Sequence, residues 1–278
     1  MGLHHVSTEV DLSGKVAVVT GGGGGIGGAI SDALAAAGAH VVVMEIDDVR
    51  ANERVAAITK AGGSGQAVVA DVLDPQHITE MATTAQQHAG HVDILVNNVG
   101  HYLRPTAFLA SDEDHWNALY DVNVLHVMRC CRALMPGMVE CGSGSVVNVA
   151  SVEGIRGYPP DPVYAAHKAA VVHFTKCLAL EVASSGVRVN AIAPDVTQSL
   201  QVDYETMVPD DLRDRWPIWV PIGRVGMPAD SADVVLFLAS DLSRFVTGAV
   251  IPTDGGTLAA GGWFRTVKRH WTNRPRNP

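Results

Sequence analysis

The sequence predicts an α/β protein built on a single doubly wound parallel sheet with helices on both faces, and three observations carry that prediction. Short β-branched runs alternate with longer helical stretches from one end of the chain to the other. The strand-like runs are continuously apolar, as expected of strands covered on both faces. The 278 residues, 47% hydrophobic and 18% charged, suffice for one large domain and contain no internal repeat.

Taken in order, Lys15 to Thr20 (KVAVVT) reads as a buried strand, Ile26 to Ala37 as an Ala-rich helix and His40 to Glu45 (HVVVME) as a second strand. A helix from about Asp48 to Ala61 stops at Gly62-Gly63, and Gln66 to Ala70 is strand three. Asp74-Pro75 opens the next helix, Asp93 to Val96 is strand four, and one long helix is expected from about Asp112 to Glu140. Ser145 to Val149 is strand five, a helix from about Pro162 to Ser184 follows, and Val187 to Ala193 is strand six. A last helix from about Pro228 to Ser240 and a strand near Ala249 to Pro252 complete a seven-stranded sheet. The stretch from Asp195 to Met227 is irregular but carries Tyr204, Met207, Trp216, Ile218 and Trp219, which suits a lid over an apolar site.

Composition excludes several classes of function. No apolar run approaches the ~20 residues of a membrane helix, and the segment from Met1 to Ser13 lacks a signal-peptide layout, so a cytoplasmic protein is expected. The net charge is −9, but Trp263 to Pro278 carries Arg265, Lys268, Arg269, Arg274 and Arg276 with no acid. Residues 1–262 are thus expected to form an acidic catalytic domain, and residues 263–278 a basic tail that packs on the acidic body of another subunit. An acidic body repels nucleic acid. Cys130, Cys131, Cys141 and Cys177 show no CxxC spacing and read as reduced, mostly packed thiols. The paired histidines (His4-His5, His88 with His91) lack a third ligand at suitable spacing, so no metal is expected.

Two groups of residues point to chemistry. Strand one runs into Thr20-Gly21-Gly22-Gly23-Gly24-Gly25-Ile26-Gly27, which opens a helix. Glycines admit a diphosphate close to the backbone, and the helix N-terminus offers free N–H groups. Glu45 ends strand two, where a carboxylate accepts from ribose hydroxyls and repels a 2′-phosphate; NAD is therefore expected in preference to NADP. In the helix after strand five, Tyr164 and Lys168 share a face at i and i+4. A neighbouring ammonium is expected to lower the phenol pKa and make the pair a general acid/base. Ser151 stands just beyond strand five, at the ligand-binding edge of such sheets.

Together these motifs resemble the short-chain dehydrogenase/reductase family, whose Rossmann-like fold the predicted sheet matches. The resemblance runs over roughly residues 10–260. Its pieces are Thr20 to Gly27, Asp71, the NNVG at Asn97 to Gly100, Asn123, Ser151, the YAAHK from Tyr164 to Lys168, and Asp254-Gly255-Gly256. It implies Tyr164 as acid/base, Ser151 as the group that polarises the substrate oxygen, Lys168 on the nicotinamide ribose, and Asn123 holding a relay water. It places Gly21, Gly24, Gly25, Ile26 and Gly27 against the cofactor phosphates and ribose, Asp71 and Val72 against adenine, and Asn98 and Gly100 along the adenosine side. Pro194 and Thr197 fall at the nicotinamide end. There the family's Pro-Gly is Pro194-Asp195, and its following Thr is Ser199. A homotetramer is also implied, paired through the long helices and the last strand and helix.

Substrate-pocket candidates are His101, Tyr102, Glu153, Tyr158, Trp216 and Trp219. Glu153 either meets a partner in a closed pocket or faces solvent. The expected activity is hydride transfer between NAD(H) and a secondary alcohol or ketone on a cyclic, steroid-like or polyol substrate. A 3-oxoacyl-[acyl-carrier-protein] reductase using NADPH is the alternative, kept open by Arg213, Arg215 and Arg224. A non-catalytic dinucleotide-binding regulator is the second, disfavoured by the complete set of Asn123, Ser151, Tyr164 and Lys168.

Overall fold

The computed structural model describes residues 10–266, 268 and 270–272. Seven strands, β1 (Val16–Thr20), β2 (His40–Glu45), β3 (Ser64–Val69), β4 (Ile94–Asn97), β5 (Gly144–Val149), β6 (Val187–Pro194) and β7 (Val250–Thr253), form one sheet in the order β3-β2-β1-β4-β5-β6-β7. Every pairing in it is parallel. Burial follows position: β1 and β4 are buried throughout, whereas the edge strands β3 and β7 are mostly half-exposed.

The longer helices are α1 (Gly25–Ala36), α2 (Asp48–Lys60), α3 (Pro75–Ala89), α4 (Glu113–Tyr120), α5 (His126–Cys141) and α6 (Pro162–Val182). The lid region holds two single turns, α7 (Tyr204–Met207) and α8 (Trp216–Trp219), before α9 (Pro228–Ala239) and the short α10 (Thr257–Ala260). Two cores result. Ile30, Leu34, Ile58, Val235 and Leu238 close one face of the sheet, and Ile78, Met81, Val127, Leu134 and Met138 close the other.

The long helix expected from about Asp112 to Glu140 is divided. α4 passes into a π-helical turn over Asp121–Leu125 before α5 begins. The break is invisible to apolar periodicity because both halves bury apolar residues, Leu119 in α4 and Val127, Leu134 and Met138 in α5. A second departure is the hairpin of β8 (Phe264–Arg265) and β9 (Trp271–Thr272). Phe264 packs edge-on against Trp219 with centroids 6.0 Å apart, and Arg265 lies over the Trp271 ring. These tail residues contact the lid of their own chain; Arg269, Arg274 and Arg276 lie outside the described residues, as do His4 and His5. Cys130 and Cys131 are buried, and burial pushes the Cys131 thiol up to about 12. Cys141 and Cys177 are exposed rather than packed. Among the described residues no helix is long and apolar enough to cross a membrane.

Candidate active site

β1 and β4 are neighbours from which the chain departs in opposite directions across the sheet, so a crevice opens at their carboxyl ends. Gly21 and Gly25 there adopt φ of 63° and 54°, and a Cβ on Gly27 would stand 2.1 Å from the Gly21 carbonyl oxygen. Only glycine fits these positions. Gly24 caps α1 without a side-chain bond, and the first turn, with Ile26, holds no acid. The uncapped N–H groups and the close backbone approach suit a diphosphate, so the residues present fit a dinucleotide. Asn98 braces this loop: its Nδ2 donates to the Thr20 and Gly21 carbonyls at 3.0 and 3.3 Å. Its side chain is thereby committed to the protein.

Glu45 closes β2 and is buried. Its Oε1 accepts from the N–H groups of Ile46 and Asp47 and from the Arg50 guanidinium at 3.0 Å. Oε2 takes only a 3.3 Å bond from Gly23, leaving acceptor capacity beside the glycine loop. Asp71, beyond β3, accepts from the Leu73 N–H at 2.8 Å, and Val72 is buried.

The acid/base helix is anchored from below. Asp161, fully buried, caps α6 by accepting from the Tyr164 N–H at 2.9 Å, and its other oxygen lies 3.3 Å from both the Thr106 N–H and His115 Nε2. Pro162 supplies the preset φ of a first helical residue. More than three turns in, a buried chain ending at Thr175 fixes the rotation of α6. Asn97 Nδ2 donates to Asn148 Oδ1, Asn148 Nδ2 donates to Thr175 Oγ1, each at 2.9 Å, and Thr175 donates to the Val171 carbonyl. Three elements are thus tied by one hydrogen-bond path. Sequence reading passed over Asn148 and Thr175, which look like ordinary strand and helix residues.

Lys168 is buried, donates from Nζ to the Val149 carbonyl at 3.2 Å and lies 5.9 Å from the Tyr164 ring centroid. Ser151, after β5, accepts from the Glu153 N–H at 3.2 Å. Burial pushes Tyr164 well above the usual phenol value, with Ser151 pulling the other way. This corrects the expectation that Lys168 lowers the phenol: in the protein alone burial dominates. Burial also brings Lys168 down to about 8. His126, buried beside it, is driven down to about 3 by burial and by the Lys168 charge, so it is neutral at ordinary pH.

The π turn delivers Asn123. Its Nδ2 donates to the carbonyls of His101 and Leu119, and its Oδ1 accepts from the His101 N–H. All three bonds go to backbone, so a water held by Asn123 has only the main-chain carbonyl to use. Gly100 is confined by this cluster, since a Cβ there would stand 2.5 Å from Lys168 Nζ.

Among the pocket candidates, Tyr102 and Tyr158 stand edge-on to Tyr164, at 6.4 and 6.2 Å between centroids. His101 turns back on its own loop, its Nδ1 accepting from the N–H of Leu103, whose φ is 52°. Trp216 packs edge-on to Tyr204 at 5.3 Å. Trp219 is not brought to the site and packs on Phe264 instead. The irregular stretch does fold over the crevice: Gln201 Nε2 donates to the Gly100 carbonyl at 2.7 Å, Tyr102 Oη donates to the Gln201 carbonyl at 3.0 Å, and Leu200 lies against Gly24. Pro194 ends β6, and buried Thr197 bridges to Gly226. Of the two readings left open for Glu153, the structure selects the first: Arg156 Nη2 meets its Oε1 at 2.9 Å and Asp195 Oδ2 at 2.9 Å. Arg156, three residues on, was the signal missed. Among the described residues no three His, Cys, Asp or Glu side chains converge as a metal site.

Comparison with known proteins agrees with this geometry. A family model described as Enoyl-(Acyl carrier protein) reductase matches residues 21–257. The 3-oxoacyl-[acyl-carrier-protein] reductase FabG of Thermotoga maritima is 37% identical over 89% of this chain and 99% of its own length. The 2-(S)-hydroxypropyl-CoM dehydrogenase 3 of Xanthobacter autotrophicus is 36% identical over 89% of this chain and 98% of its own. A 7α-hydroxysteroid dehydrogenase solved with NADH and 7-oxoglycochenodeoxycholic acid superposes with a TM-score of 0.83 and 31% identity, covering 89% of this chain and 96% of that one. With the sheet order, the glycine loop and the serine, tyrosine and lysine all in register, the chain belongs to the short-chain dehydrogenase/reductase family of oxidoreductases.

Proposed function

We propose that this chain is an NAD-dependent dehydrogenase/reductase acting between a secondary alcohol and its ketone, on a cyclic, steroid-like or polyol substrate. The observation that carries the reading is the placement of Tyr164, flanked by Ser151 and the buried Lys168, at the crevice beside a diphosphate cradle. A bound nicotinamide would accept or give the hydride; Gly21, Gly24, Gly25, Ile26 and Gly27 would hold its diphosphate, and Glu45 the adenosine ribose. The protein's own residues supply position and proton traffic. Ser151 donates to the substrate oxygen, and Tyr164 gives that oxygen its proton in reduction and takes it in oxidation. Lys168 would hold the nicotinamide ribose, and its ammonium favours the phenolate only against the larger effect of burial. Because burial holds Tyr164 protonated at neutral pH, reduction is served there and oxidation accelerates as pH rises.

Glu45 supports NAD over NADP, although Arg50, bound to it, brings a cation to the same place. The second reading, a 3-oxoacyl-[acyl-carrier-protein] reductase using NADPH, is favoured by the names of several relatives. Against it, Arg213 and Arg224 of the lid are already paired with Asp210 and Asp230, which leaves the exposed Arg215 alone of the three for an acidic carrier. We assign a homotetramer to the chain on the same footing: α5 leaves Met128 and Val139 exposed on its outer side.

The test is turnover with NAD(H) and NADP(H) across hydroxysteroids, cyclic alcohols, polyols and 3-oxoacyl thioesters, with Tyr164→Phe as control. NAD-linked turnover that falls at least a hundredfold in Tyr164→Phe, with dinucleotide binding retained, is expected. Activity confined to NADPH and a thioester selects the second reading.

A further inference from the structure

Asp195 leaves the carboxyl end of β6 with its side chain 11% exposed. Its Oδ2 is spent twice, on Arg156 Nη2 at 2.9 Å and on the Thr257 hydroxyl. Its Oδ1 has no hydrogen-bond partner among the described residues. Oδ1 is not among the buried unpartnered atoms, so its lone pairs stay open to solvent and free to accept from a bound molecule.

The surroundings indicate what that molecule is. Glu153 engages the other edge of Arg156, through Nε at 3.4 Å and Nη2 at 2.9 Å, so two carboxylates share one guanidinium and the cluster carries a net charge of about −1. It lies along the wall of the crevice: the Glu153 N–H donates to Ser151 Oγ at 3.2 Å, Arg156 links Glu153 to Asp195, and the two carboxylates act electrostatically on Tyr204. The wall therefore offers an acceptor and excess negative charge on the side of the crevice away from the Lys168 ammonium, and Arg156, its own cation, is already shared by two carboxylates.

We infer that Asp195 is a specificity-determining residue whose Oδ1 accepts a hydrogen bond from a substrate hydroxyl near the reacting carbon, so that the site takes uncharged polyhydroxylated substrates and disfavours carboxylates. The inference rests on the oxidoreductase reading above and narrows its substrate class. The Arg156 bridge and the Thr257 bond hold the carboxylate in place before the substrate arrives, which spares the complex that ordering. A site built to bond a hydroxyl rejects the analogue that lacks it, because the acceptor is then left unpaired.

Three probes of one carbon skeleton test this: butane-2,3-diol, butan-2-ol and 3-hydroxybutyrate, with NAD, in the native chain, Asp195→Ala and the isosteric Asp195→Asn. The native kcat/KM ratio of diol to mono-alcohol is expected to fall about tenfold or more in Asp195→Ala. The ratio of hydroxy acid to mono-alcohol should rise about tenfold in Asp195→Asn, where the charge is gone but the shape is kept. An Asp195→Ala chain that does not fold leaves the Asn variant to decide. A diol preference unchanged in the folded variants, even with all rates lowered together, overturns the inference and leaves Asp195 a structural anchor. Native inactivity towards every substrate, with either dinucleotide, overturns the oxidoreductase reading and this inference with it.

Discussion

The two walls of the crevice are made differently. The inner wall, formed by the ends of β4 and β5, the π turn and α6, is buried, and Asn123, Asn148, Asp161 and Lys168 each bond to protein, while Asn97 Oδ1 and the ring nitrogens of His126 are buried without a partner. The outer wall, from Asp195 to Met227, is built of single helical turns and leaves Leu200 67%, Met207 61% and Trp219 62% exposed. Apart from the Arg156 bridge to Asp195 at its start, its ion pairs, Arg213–Asp210 and Arg224–Asp230, lie at the surface. The contrast teaches a division of labour. The proposed proton transfer needs atoms held to a fraction of an ångström, which suits a wall where desolvation makes an unpaired group expensive. The proposed admission and release of substrate need motion, which suits a segment with few buried contacts.

The largest effect should follow from changing the charge at the centre of the inner wall. Lys168→Met is expected to lower turnover at least a hundredfold and to flatten one limb of the stability profile. The native Lys168, depressed from 10.5 to about 8, binds its proton more weakly folded than unfolded, so folding is penalised below pH 8 and stability rises between about 8 and 10.5. Tyr164, raised above 10, acts in the opposite sense, costing stability as pH climbs past 10. Urea unfolding at pH 7.5 and 9.5 measures the difference; a native gain that persists in Lys168→Met would show that another group titrates.

Next in size, Asn148→Ala should cost about 2 to 3 kcal/mol, because it leaves a buried gap and removes the hydrogen bonds from Asn97 and to Thr175, which keep only a weak bond to Cys131 and the bond to Val171. A loss near zero would mean that the chain through Asn148 does not hold α6. Asp161→Asn keeps a capping oxygen but weakens the buried contacts to Thr106 and His115, and about 1 to 2 kcal/mol is expected by the same measurement. Smallest, Arg213→Ala on the outer wall should change stability by less than about 1 kcal/mol. An inner-wall cost from that substitution would break the comparison, since it would make the lid as tightly determined as the floor.

The same division explains what could be read from the sequence. The strands were legible because β1, β2, β4, β5 and β6 are buried on both faces and are therefore mostly apolar. The glycine loop, Glu45, Ser151, Tyr164 and Lys168 were legible because each requires one residue type at one end of a strand or on one turn of a helix. The raised phenol was not: burial is a property of the assembled crevice, and a spacing of four residues carries no record of it. Nor was the Arg156 bridge from Glu153 to Asp195, since it joins residues some forty positions apart. Asn148 and Thr175 escaped because a polar residue in an apolar strand looks like an exception until its partner is known.

The π turn at Asp121–Leu125 has a consequence for how this chain tolerates change in length. One extra residue in a helical turn offsets everything after it by about 100°. α4 and α5 are therefore out of phase, which lets Val127, Leu134 and Met138 face the sheet while Asn123 faces the crevice. Removing one residue here would yield a smoother helix but a miswired protein, its core side chains or its Asn123 rotated away. At this place the number of residues is as much a functional specification as their identity.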